Sequence, residues 1–203
     1  MPRTEPRSSR RRQLLEFAVL GVLHDGPLHG YELRKRLGSA LGIFRALSFG
    51  SLYPCLRGLV EARLLEERRP QGQAGAPTSR RPRITYELTP EGKEHFAGLL
   101  AAAGPESWDD DDFDVRLAFF SRTQAQVRLR ILEGRRSRLE ERLASIREAS
   151  YRNRERMDGY TRALQRHGEE RAEREVRWLE ELISAERTST AYDLSKTQPH
   201  TKE

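Results

Sequence analysis

The stretch that most constrains this 203-residue chain is a short one. Residues 14–23 are almost continuously apolar (Leu14, Leu15, Phe17, Ala18, Val19, Leu20, Val22 and Leu23), and Gly26-Pro27 stops the run. A helix that is apolar on every side must be wrapped by other elements, and the run falls well short of the ~20 residues that span a bilayer. The wrapping has to be built from modest means, because 36% of the residues are hydrophobic and 33% are charged. Arginines at 3, 7, 10, 11 and 12 precede the run in the manner of a signal peptide. Glu16 interrupts it, however, and His24-Asp25-Gly26-Pro27 offers no small-residue cleavage site. The single cysteine, Cys55, excludes an intramolecular disulfide framework and fits a reducing compartment. The expectation is a cytoplasmic protein, without a membrane segment, whose residues 1–12 form a basic disordered arm.

The elements that could wrap the first helix follow in order. A second helix, about 28–41, places Tyr31, Leu33, Leu37 and Leu41 largely on one face. A third runs from about 51 to 63, with Leu52, Leu56, Leu59 and Val60 at the i, i+4, i+7, i+8 spacing of a core-facing stripe. Pro54 lacks a backbone N–H and suits a first turn, so this helix is expected to start near Ser51, with the Ser51 hydroxyl as its cap. Tyr53, Arg57 and Glu61 then form a row facing away from the core. Residues 64–68 and 83–88 read as two short strands around a Gly-, Pro- and Ser-rich loop. A fourth helix opens at Thr89-Pro90-Glu91-Gly92, with Thr89 as cap and Pro90 in the first turn.

Charge is distributed unevenly along this layout. Residues 1–104 carry 17 Lys and Arg against 10 Asp and Glu, whereas residues 105–203 carry 20 against 21. A localised basic excess is the footprint of a polyanion binder. Three short helices followed by a basic hairpin is the order of a winged helix-turn-helix, in which the third helix enters a major groove. On that reading Ser51, Tyr53, Pro54 and Arg57 face DNA, with Arg57 suited to the O6 and N7 edge of a guanine and Tyr53 to a phosphate. Arg80, Arg81 and Arg83 of the hairpin would reach phosphates or a minor groove, and Tyr86 is counted with them. A solvated loop is the plainer reading of those arginines, as packing under the hairpin is of Tyr53.

Three segments carry a family resemblance: Gly30-Tyr31-Glu32-Leu33, Gly50-Ser51-Leu52-Tyr53-Pro54-Cys55-Leu56, and Tyr86-Glu87-Leu88-Thr89-Pro90-Glu91-Gly92. Over about residues 14–100 they resemble the PadR family of bacterial transcriptional regulators. The family pattern usually has a basic residue, an acidic residue and a glycine where this chain has Gly58, Val60 and Arg63. The resemblance implies a winged helix-turn-helix with a helical C-terminal domain that builds a homodimer on a palindromic operator. It also implies repression, and in several members release by a small molecule.

The helical half is expected from residue 105 after a Gly-, Pro- and Asp-rich boundary. A short helix at about 113–120 precedes a long one from 123, where positions 125, 129, 132, 136, 139, 143 and 146 alternate spacings of four and three and only Arg136 breaks an apolar seam. The helical pattern continues through Met157, Tyr160 and Leu164 to Gly168, and a final helix covers about 169–187. Leu132, Leu139, Leu143, Ile146, Val176, Trp178, Leu179, Leu182 and Ile183 are the expected dimer contacts. Trp178 reads more simply as a packing anchor than as the wall of an effector pocket.

The expected organisation is thus mainly α with a small β-hairpin wing: an arm (1–12), a winged helix domain (13–104), a helical dimerisation domain (105–187) and a flexible tail (188–203). No phosphate loop, nucleophile elbow or carboxylate pair suggests an enzyme. No cofactor is expected, and the five histidines lack metal-ligand spacing. Asp109–Asp112 reads as helix capping or a solvated hinge rather than a cation site, and Cys55 as an inert core thiol. The expected function is a homodimeric repressor that occludes an inverted-repeat operator in double-stranded DNA, with a small-molecule effector as a further partner. The rival is a protein-interaction module in which the helical half recruits a partner and the winged helix is a scaffold.

Overall fold

The structure, a computed structural model, describes residues 7–40, 49–68, 84–153 and 157–197. The helices are α1 (Arg7–Leu23), α2 (Gly30–Ala40), α3 (Phe49–Glu61), α4 (Pro90–Ala101), α5 (Asp110–Leu117), α6 (Ala125–Asn153) and α7 (Gly159–Thr197). The strands are β1 (Leu28–His29), β2 (Leu65–Arg68) and β3 (Thr85–Leu88). The fold is mainly α with one small three-stranded antiparallel sheet, in the order β1-β3-β2. The chain divides into two units: Met1–Ala102 with Asp114–Arg122, and Ala103–Phe113 with Thr123–Glu203.

In the first unit α1 is buried on nearly all sides, as its apolar run requires, and α2, α3, α4 and the sheet surround it. Phe17 of α1 meets Phe96 of α4 and Phe119, each with ring centroids 5.4 Å away, and Phe119 stands edge-on to Phe17. Such tilted and edge-on pairs suit the ring quadrupoles. Arg116 lies over the Phe17 ring at 5.3 Å and donates to the carbonyls of Leu99 and Ala102 at the end of α4, where cations are favoured. Residues 114–122 therefore share the core of the first unit, although they follow the boundary expected at 104.

Several local elements differ from the expectation. Helix α1 begins at Arg7, inside the arm, where Arg12 and Glu16 form an i,i+4 ion pair that suits helix. Tyr31, expected in the core, is 77% exposed, while Leu33 and Leu37 are buried; a residue two before Leu33 cannot share its face. Helix α3 begins at Phe49, so Ser51 is not its cap and Pro54 lies inside it. The carbonyl that Pro54 leaves without a backbone donor belongs to Gly50, an exposed first-turn residue that water can serve. Strand β1 is only two residues long, too short for an alternation to show.

The end of α3 and the start of α4 are joined through one residue. Arg63 has φ +60°, the left-handed conformation that usually falls to glycine. Around it the N–H groups of Arg63 and Leu64 donate to the carbonyls of Val60 and Leu59, both at 2.9 Å. The Thr89 hydroxyl donates to the Arg63 carbonyl at 2.8 Å and accepts from the Gly92 N–H at 2.9 Å, capping α4. A Cβ at Gly92 would run into the Leu64 carbonyl oxygen, so only glycine fits there.

The second unit is an antiparallel pair of helices, α6 and α7. The order is set by ion pairs such as Arg128–Glu186 near one end and Arg147–Glu173 towards the other. The helical pattern expected to run on to Gly168 stops at Asn153 and restarts at Gly159. Asp158 causes the restart: its carboxylate accepts from the N–H groups of Tyr160 and Thr161, at 2.8 and 3.0 Å, as an N-cap does. Helix α7 continues to Thr197, into the stretch expected as a tail.

Between α6 and α7 lie Ile131, Leu132, Leu139, Leu143, Ala172, Leu179 and Ile183, all buried. Leu132, Leu139, Leu143, Leu179 and Ile183 are thus covered within a single chain; Ile146, Val176 and Leu182 are half-buried and Trp178 is exposed. The long seam that suggested a partner helix is filled by α7 of the same chain. Arg135 is buried beside it, donating to Glu175, to Asp110 and to the carbonyl of Trp108, with its guanidinium 5.4 Å from the Phe113 ring centre. Burial works against this charge, but the hydrogen bonds that Arg135 donates to Glu175 and Asp110 outweigh it and hold its pKa above the usual value. Burial also works to raise the Asp110 pKa, and the bond from Arg135 more than reverses that, leaving the carboxyl below its ordinary range.

Candidate nucleic-acid interface

The exposed side of α3 is a consequence of what its other side must bury. Leu52, Cys55, Leu56 and Leu59 point into the core beside α1. Helical geometry then sends Ser51, Tyr53, Pro54 and Arg57 outward, and all four are exposed, Tyr53 at 58%. Arg57 has no charge partner among the described residues, so its guanidinium fork is free for an acceptor.

Tyr86, expected to face DNA, is instead part of the core at 6% exposure. The physical reason is the alternation of β3, in which Tyr86 and Leu88 turn inward while Thr85 and Glu87 are half-buried. Tyr86 is paired in register with Leu28 of β1. Its ring and that of Tyr53 approach the same glycine: a Cβ on Gly30, the first residue of α2, would lie 3.6 Å from each. Burial pushes the Tyr86 phenol pKa up, with Glu67 and Tyr53 adding to the effect. Tyr86 is thus a buried support adjoining the exposed Tyr53. Tyr31, next to Gly30, is an exposed aromatic that a two-residue shift in facing would have revealed.

The arginines expected on the hairpin, Arg80, Arg81 and Arg83, lie outside the described residues. At the hairpin's base, Arg68 makes ion pairs with Glu66 at 3.0 Å and Glu87 at 2.9 Å. The described part of the wing therefore carries three glutamates, Glu66, Glu67 and Glu87, against the one arginine, and its basic excess lies outside the described residues. Across β1 and β3 the Thr85 hydroxyl and His29 Nδ1 are hydrogen-bonded at 2.9 Å, which ties the third strand to the sheet.

Cys55 sits on the buried side of α3 at 4% exposure. Burial pushes its thiol up to about 12, with Glu16 adding to the rise and Arg12 opposing it. A thiol held in that state is a poor nucleophile. Of the aspartates at the unit boundary, Asp109 pairs with Arg138 at 2.7 Å and Asp110 with Arg135 at 2.5 Å. Among the described residues no cluster of acids, histidines or cysteines is arranged to hold a metal ion, and no helix is long and apolar enough to cross a membrane.

The sequence profile of the transcriptional regulator PadR-like family matches residues 19–98. Among solved structures, Bacillus subtilis PadR in complex with operator DNA is 22% identical, covers 85% of this chain and 98% of its own, and gives a TM-score of 0.40. The same protein in complex with p-coumaric acid has the same identity and coverage at a TM-score of 0.38. A PadR-like transcriptional regulator from Bacillus cereus is 19% identical over 92% of this chain and 99% of its own, at 0.39. No curated protein matches the chain.

Proposed function

We propose, from the match of residues 19–98 to the PadR-like family of transcriptional regulators, that this protein is a homodimeric repressor that occludes an inverted-repeat operator in duplex DNA. The observation that carries the proposal is the split of α3. One side is locked into the core by Leu52, Leu56 and Leu59, and the other presents Ser51, Tyr53, Pro54 and Arg57 to solvent. A helix held this way can enter a major groove, with Arg57 bidentate to a guanine and Tyr53 donating to a phosphate. Arg80, Arg81 and Arg83 of the wing would add flanking phosphate contacts.

In the dimer, the helical unit would set the separation of the two half-sites. The residues buried between α6 and α7 shape that unit from within, so the partner's surface falls to Ile146, Val176, Leu182 and Trp178, which keep exposure. A small-molecule effector would release the operator by favouring one spacing of the half-sites over the other, which requires different affinities for the two. The protein would act in the cytoplasm, and no catalytic role is assigned to it.

The rival reading, a module that recruits a partner protein, draws on exposed Tyr151, Tyr160 and Leu164 of the helical unit. Selection of bound duplexes from a random pool by the purified full chain decides between them, followed by binding at two salt concentrations. An inverted repeat bound with steep salt dependence supports the repressor. Absence of any enriched motif, from a folded dimer, defeats it in favour of the module.

A further inference from the structure

Arg12, near the start of α1, adjoins half-buried Gly58 of α3. Arg12 reaches across from α1 so closely that a Cβ on Gly58 of α3 would come within 3.3 Å of its Nη2. Its Nε donates to Glu16 Oε1 at 2.8 Å. That single bond aims the guanidinium and leaves both of its Nη groups without a hydrogen bond among the described residues. Arg57, the neighbour of Gly58, is exposed on the same helix. Arg11 is exposed and without a partner among the described residues. It precedes Leu15 and Ala18 by four and seven positions, so it extends the core-facing side of α1 past the end of the core.

We propose that Arg12 and Arg11 are a second DNA-contacting element, which with Arg57 makes one cationic surface and grips the phosphate backbone beside the groove that α3 enters. The chemistry is that of a guanidinium fork on a phosphate, with Glu16 holding the fork by its Nε so that the Nη edge faces outward. Glycine at position 58 leaves the space that the Arg12 fork overlies. Phosphate contacts of this kind position a protein on DNA and carry no sequence information themselves. The inference rests on the DNA-binding reading above and extends it to residues outside the helix-turn-helix and the wing.

The test is the salt dependence of binding by the full chain to a mixed-sequence duplex long enough for two half-sites. Taking away one arginine–phosphate pairing lowers the slope of log K against log salt by about 0.9. Both subunits of the dimer carry the change, so Arg12→Gln should lower the slope by about two and Arg11→Gln/Arg12→Gln by about four, with the bases preferred in a random-pool selection unchanged. Circular dichroism and the melting midpoint should stay at the wild-type values, since both residues are exposed. If the double variant melts early, Arg11→Gln alone carries the test and should lower the slope by about two. A folded variant with the wild-type slope overturns this inference while the repressor reading stands. A wild-type chain with no salt-dependent affinity for duplex DNA overturns both.

Discussion

Arg135 and Glu175 are joined by two hydrogen bonds to one oxygen, Nε at 3.0 Å and Nη2 at 2.6 Å from Glu175 Oε1. The two side chains are not equally placed: that of Arg135 is 7% exposed and that of Glu175 26%, while Asp110, the other acid on Arg135, is 69% exposed. Removing one partner of a buried pair costs most when the remaining charge cannot reach water. Glu175→Ala, which leaves buried Arg135 with only Asp110 and the Trp108 carbonyl, should destabilise the helical unit by ~3 kcal/mol. Arg135→Met leaves two acids that can reach solvent and should cost clearly less. Urea denaturation of both variants, followed by helical signal, gives the order directly.

The left-handed Arg63 predicts a gain rather than a loss. An L-residue in that conformation costs roughly 1–2 kcal/mol, part of which glycine returns as unfolded-chain entropy. Arg63→Gly should therefore raise the melting midpoint of the first unit, by the equivalent of ~1 kcal/mol. Arg63→Ala keeps the Cβ and should give no such rise. Equal midpoints for the glycine and alanine variants would count against the backbone explanation.

Cys55 gives a pH dependence with a definite sign. An unfolded thiol ionises near pH 8.5, whereas burial holds the folded one neutral up to about 12. The raised folded value means that the contribution is fully present below the unfolded pKa and is lost as pH rises towards the folded one. Stability should fall between about pH 8.5 and 12 more steeply in the wild type than in Cys55→Ala. In the same range a thiol reagent should modify the native chain slowly and the denatured chain fast.

On the DNA side, two tyrosines separate contact from support. Tyr53→Phe should fold normally and lose affinity through its hydroxyl, while Tyr86→Ala should destabilise the first unit by about 3–5 kcal/mol. Arg57→Ala should cost ~1–3 kcal/mol on the preferred duplex and relax the preference at one base position. Titration of each variant against the selected duplex and one single-base relative measures both quantities. An Arg57→Ala protein with wild-type affinity and preference would mean that α3 presents a different side to DNA.

What could be read from the sequence was whatever depends on local spacing. The apolar run of α1, the Thr89-Pro90 start of α4 and the outward row of α3 follow from periodicity and cap chemistry, which act within a few residues. Burial of Tyr86 depends on which way β3 turns, and with flanking strands this short the alternation has too few residues to declare itself. The Asp158 cap was hidden because Met157, Tyr160 and Leu164 continue an apolar rhythm across the break. The seam of α6 gave the right residues, but a spacing rule does not say whether α7 or another chain fills it. Arg135 was invisible for a related reason, since an arginine on a charged helix announces nothing until Glu175 and Asp110 are brought to it by folding.

The ring of Phe119 has a bearing on how such a protein can be divided and recombined. Phe17 and Phe96 lie before the apparent linker at 104, and the residue that completes their stacking comes after it. A gene fusion that took the DNA-binding half as residues 1–104 would leave those two rings open to water and α4 without Arg116 at its end. The transplantable piece extends through Arg122, so shuffling of regulatory halves in evolution, or in a laboratory chimera, has to respect a seam that sequence composition places some twenty residues too early.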